Sequence, residues 1–163
     1  WLFVSLKYNI MKDIKIKINE IKNEREEYNL KIPLPINEKN IENFKKKFKV
    51  FFDLEVDKDY LSFFKICNGL EENGFIIFSS NNHIVNKVYY GIFENNEFFH
   101  EQDEEDKKYI LFATSGQDLF VFNKEKSQYQ LLDRYTGDVY NEYESFNDML
   151  LYILKLMLNE EVA

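Results

Sequence analysis

Residues 57–78, DKDYLSFFKICNGLEENGFIIF, hold the point at which the hydrophobic period of the chain changes. Asp57 can cap a helix whose apolar face is Tyr60, Leu61, Phe63, Phe64 and Cys67, and Asn68-Gly69 supplies the left-handed residue that ends it. Gly74 then opens Phe75-Ile76-Ile77-Phe78, a short aromatic and β-branched run of the kind that forms a strand. The segments before this stretch repeat at helical spacing, and most of those after it do not.

On the N-terminal side, Met11, Ile14, Ile18, Ile21 and Tyr28 predict an amphipathic helix over about residues 12–28. Pro33 and Pro35 break that pattern, and Asn37 caps a second helix carrying Ile41, Phe44 and Phe48. The run Trp1 to Ile10 is interrupted by Lys7 and Asn9 and is far shorter than the roughly 20 residues that span a bilayer, so no membrane anchor is expected. With Met11 following it, this run reads as an upstream extension of small functional weight.

On the C-terminal side, Val88 to Phe93, Tyr109 to Ala113, Leu119 to Phe122 and Tyr129 to Asp133 join Phe75 to Phe78 as expected strands. Asn81-Asn82, Asn95-Asn96, Ser115-Gly116, Asn123 to Ser127 and Thr136-Gly137-Asp138 carry turn chemistry between them. Ser145 caps a closing helix with Phe146, Met149, Leu150, Ile153, Leu154 and Met157 on one face. Helices, then consecutive strands, then a helix make an α+β domain, with a mainly antiparallel sheet of five to six strands. Its 163 residues contain no linker-like stretch, so one domain is expected, residues 1–36 forming a helical extension and 37–158 the core.

Three blocks in order resemble the SUKH superfamily, the Smi/Knr-like proteins, among them its YrhA-like branch. The first is Asp59, Tyr60, Leu61, Phe63 and Phe64 running through Asn68-Gly69 into Phe75-Ile76-Ile77-Phe78. The second is Ile110-Leu111-Phe112-Ala113 followed by Gly116, Asp118 and Leu119-Phe120-Val121-Phe122. The third is Leu131-Leu132-Asp133-Arg134, the Thr136-Gly137-Asp138 turn and Ser145-Phe146. Glu55-Val56-Asp57 stands where the family often has a proline, which leaves the subfamily open. The resemblance implies a central sheet flanked by helices, no cofactor, and immunity against a secreted protein toxin, often a nuclease. Its fungal side implies the alternative of a scaffold in cell-wall signalling.

Catalytic signatures are lacking in the sequence. His83 and His100 stand 17 residues apart without zinc-ligand spacing around them, and read as solvated or structural. Cys67 reads as a buried small hydrophobe, and its being the only cysteine fits a reducing compartment, the cytosol. Thr114-Ser115-Gly116 lacks the nucleophile-elbow pattern and reads as a hairpin turn. A non-catalytic protein without metal or cofactor is the expectation.

Charge is the one chemical feature that stands out. Residues 1–50 carry twelve basic and seven acidic groups, net +5, whereas residues 51–163 are net −13. Such a body disfavours nucleic acid, whose phosphates need clustered cations, and favours a basic protein partner bound by a monomer. The densest run is Glu101-Gln102-Asp103-Glu104-Glu105-Asp106. It reads either as a solvated loop or, with Glu94, Glu97 and Asp118, as a negative surface facing a basic toxin. Tyr89, Tyr90, Phe98 and Phe99 are candidate aromatic anchors for that surface, or ordinary strand and core residues.

Overall fold

Apolar stripes at helical spacing must be covered, and in a computed structural model, which describes residues 2–162, they are covered by a sheet and by each other. The first helix, α1, runs Leu2–Glu27, ten residues further toward the N-terminus than the spacing predicts. Residues 2–10 therefore continue the helix. Ile14, Ile18 and Ile21 of α1 are buried in the same core as the sheet, so this segment is integral to the domain. None of the described helices is long and apolar enough to cross a membrane.

Helix α2 (Glu38–Phe52) starts where expected, with the Asn37 side chain accepting from the Asn40 N–H. Helix α3 (Lys58–Phe64) is capped by Asp57, which accepts from the Asp59 N–H at 2.8 Å. It stops three residues short of Cys67, which lies in the following turn and is fully buried. Gly69 has φ +93°, and a Cβ there would stand 2.9 Å from that of Ser79, so the Asn68-Gly69 step needs glycine for both backbone angle and space.

Two short strands, β1 (Leu70–Glu72) and β2 (Phe75–Ile77), begin the sheet; a separate hairpin, β3 (His83–Val85) and β4 (Lys87–Tyr89), follows. Helix α4 (Ile92–Gln102) comes next, then a single 3₁₀ turn over Glu104–Lys108. Strands β5 (Tyr109–Thr114), β6 (Asp118–Asn123), β7 (Gln128–Asp133) and β8 (Val139–Tyr143) complete the sheet, and α5 (Phe146–Met157) closes the chain. The six strands lie in the order β1-β2-β5-β6-β7-β8, all antiparallel, so the fold is α+β as the sequence predicts. Central strands β5, β6 and β7 are buried almost throughout, while β8 is an exposed edge.

The rings of Tyr60, Phe112, Phe146 and Tyr129 meet at centroid distances between 4.8 and 6.1 Å, joining α3, β5, α5 and β7 at the centre. The Tyr129 hydroxyl donates to Asp57 at 2.7 Å, and burial, aided by that carboxylate, pushes its ionisation far up. A largely buried ion pair between Arg25 and Glu72, 3.1 Å apart, ties the last turn of α1 to β1.

Three sequence expectations fail between residues 88 and 106. Val88 to Phe93 is not one strand: β4 ends at Tyr89, and Ile92 and Phe93 open α4. Asn95-Asn96 is not a turn but lies inside that helix. The acidic run Glu101 to Asp106 is not a loop; it is the last turn of α4 followed by the 3₁₀ turn.

Candidate functional site

Helix α4 sets the geometry of the acidic region. Its inner face is Ile92, Phe93, Asn96, Phe99 and His100, a helical stripe that contains a fully buried asparagine. Phe93 packs among Phe44, Phe51 and Phe52 of α2, with the Lys47 ammonium 4.4 Å from its ring centre. Asn96 is fully buried and pairs with the backbone of β5: its Nδ2 donates to the Leu111 carbonyl and its Oδ1 accepts the Leu111 N–H, both at 2.8 Å. Leu111 adjoins a β-bulge and lies beyond the β5 residues paired with β2, and Asn96 supplies partners for its backbone groups there.

The outer face follows from the inner one. Glu94, Glu97, Phe98 and Glu101 stand at i, i+3, i+4 and i+7, and all four are exposed. Phe98 is 67 % exposed, so the helix holds a phenyl ring in water between three carboxylates. No cation lies within ion-pairing distance of Glu94, Glu97 or Glu101 among the described residues, whereas Glu104 and Glu105 are partly neutralised by Lys107 at 2.8 Å and Lys108 at 3.5 Å. Asp103 caps the 3₁₀ turn by accepting from the Glu105 N–H.

Beside this stripe is a groove of about 400 Å³ whose walls include Phe98, Phe99, Leu111, Leu119, Asp106 and Arg134. Loss of hydration, and then the neighbouring Asp103, pushes the Asp106 carboxyl above the ordinary carboxylate range. The groove lining thus combines apolar side chains with one acidic and one basic group.

Not every candidate residue belongs to this surface. Phe98, Phe99 and the acidic residues from Glu94 to Asp106 are brought together by α4 and the turn after it. Asp118 sits at the start of β6, where it accepts from the Ser115 hydroxyl at 3.1 Å within the β5–β6 turn. Tyr90 is exposed between β4 and α4. Tyr89 is withdrawn as an anchor: it is 2 % exposed, with its ring stacked on His83 at 5.5 Å, because β4 turns this side chain inward.

The residues weighed for catalysis have structural partners. His83 Nε2 lies 2.9 Å from the Asn68 carbonyl and His100 Nε2 lies 2.8 Å from that of Tyr109. The Ser115 hydroxyl also accepts from the Gln117 and Asp118 N–H groups, closing the turn. Burial pushes the Cys67 thiol up, away from the reactive thiolate. A thiol-specific disulfide reagent should therefore leave the folded protein unlabelled over minutes and label one thiol per chain on addition of denaturant. Labelling at equal rates in both conditions would show that Cys67 is accessible.

Neither a family model nor a curated protein matches this chain.

Proposed function

We propose that this protein is a stoichiometric binder that captures a basic protein domain on the outward face of α4, in the manner of a SUKH-type immunity protein neutralising a toxin in the cytosol. The observation that carries the reading is Phe98, held exposed by the helix among Glu94, Glu97 and Glu101. With about two-thirds of its surface in water the ring adds little to the fold, and it is the kind of anchor around which interfaces concentrate binding energy. The carboxylates supply the long-range attraction. Complementary charge raises association to about 10⁸–10⁹ M⁻¹s⁻¹ at low salt, a useful property when a toxin must be caught before it acts. Toxins that cleave nucleic acid carry basic surfaces, because they must grip phosphates.

The test is retention of host proteins on the tagged chain at low salt, comparing wild type with E94K/E97K/E101K and with F98A. A basic protein retained by wild type should be lost from the triple variant, and F98A should weaken its binding at least about tenfold, since a buried aromatic anchor is worth 2 kcal/mol or more. Both variants should melt within about 0.5 kcal/mol of wild type, because the altered residues are exposed. Equal retention by wild type and the triple variant would place the binding surface elsewhere.

A further inference from the structure

A second groove lies in the basic half of the chain and shares no lining residue with the α4 groove. It encloses about 480 Å³ between α1 and the extended segment 31–35. Its apolar lining comes from Ile18, Ile32, Pro33, Leu34, Pro35 and Ile66, and its rim from Lys15, Lys22 and Lys31. The single carboxylate among the lining residues, Glu26, stands 3.9 Å from Lys22 in an exposed pair of small energetic weight. Lys15 and Lys31 have no ion-pair partner among the described residues, and Leu34 is 80 % exposed.

We infer that this groove docks an acidic amphipathic helix of a partner protein. Charge selects the sign: three lysines around an apolar trough attract carboxylates flanking an apolar stripe and repel a basic one. Backbone chemistry selects the shape. Pro33 and Pro35 remove two N–H donors from the wall, so a strand could not add to it by a regular hydrogen-bond ladder. From Lys15 to Glu26 the α1 wall extends about 16 Å, a length that can receive one row of apolar side chains. Three turns of helix placing apolar residues at i, i+4, i+7 and i+11 supply such a row over the same length. The protein then has two docking faces of opposite sign, one for a basic and one for an acidic partner.

The probe is a fluorescein-labelled peptide of about fourteen residues, leucine at those four positions and glutamate with alanine elsewhere, titrated with the full chain. Saturable binding is expected, with Kd on the order of 10 µM, weakened at least about tenfold by K15E/K31E, by L34E and by about 0.5 M salt. The same peptide with lysine in place of glutamate should not bind. Thermal melts of the groove variants matching wild type would show that their loss is not unfolding. No saturation by about 1 mM peptide overturns the inference, as does binding indifferent to K15E/K31E or equal for the lysine peptide. Sedimentation showing self-association abolished by L34E would also overturn it, by naming a second copy as the occupant.

Discussion

Replacing Gly91 by alanine should lower the melting temperature by about 6 °C or more, the shift that about 3 kcal/mol produces in a chain of this size. The residue has φ −80°, so backbone strain is not the reason. The reason is close approach. A Cβ at Gly91 would lie 2.7 Å from the Asn81 Cα and 2.9 Å from its carbonyl carbon, distances at which backbone must move. The Glu94 carboxylate, 2.5 Å away, could swing aside, but the Asn81 backbone is held by its neighbours. Ser79 donates its N–H to the Tyr90 carbonyl at 3.0 Å and accepts the Ile92 N–H at 2.9 Å, while the Gly91 N–H donates to the Asn82 side chain at 2.7 Å. These bonds clamp the base of the β3–β4 hairpin to the start of α4. Forcing them apart costs the overpacking energy of about 1–3 kcal/mol and one or more hydrogen bonds besides. A calorimetric melt within 1–2 °C of wild type would mean that the two segments separate freely, and that α4 is not seated there.

Asn96→Leu should be comparably severe, about 2–5 kcal/mol, although it keeps the volume and adds apolar surface to a buried site. Leucine can neither accept from the Leu111 N–H nor donate to its carbonyl. Both groups lie at a bulge inside the fold, and each costs about 1–3 kcal/mol when left unpaired. The variant should show early amide exchange in α4 and at Leu111, measured by hydrogen–deuterium exchange, before the rest of the sheet opens. It should also lose partner binding in proportion, because the acidic stripe exists only while α4 is docked. Unchanged exchange at Leu111 would show that its backbone finds another partner.

These two residues also explain how far the sequence could be read. The α+β layout is legible because Asn37, Asp57 and Ser145 cap helices whose apolar faces follow plain helical spacing, and because strands β5 to β7 are compact runs rich in apolar and aromatic residues. Helix α4 is not. Its N-cap, Gly91, makes no side-chain cap, its first residues continue an aromatic run begun in β4, and one of its two fully buried positions is polar. An asparagine paired with a bulge in a distant strand breaks the hydrophobic stripe that would announce a helix, and makes Asn95-Asn96 look like a turn. The candidate site suffers the same error in miniature. The acidic residues were found by composition alone, but their ordering around Phe98 depends on the helix. The inward turn of Tyr89 depends on a hairpin of three-residue strands that periodicity cannot resolve.

The claim that α4 presents a binding face for a basic partner is tested most directly by the rate at which the retained partner associates, followed by stopped flow from about 0.05 to about 0.5 M salt, over which the Debye length falls from about 14 to about 4 Å. The account predicts a fall of at least about tenfold for wild type across this range, and a rate for E94K/E97K/E101K that lies at or below the high-salt value throughout. A rate indifferent both to salt and to those three substitutions would contradict it.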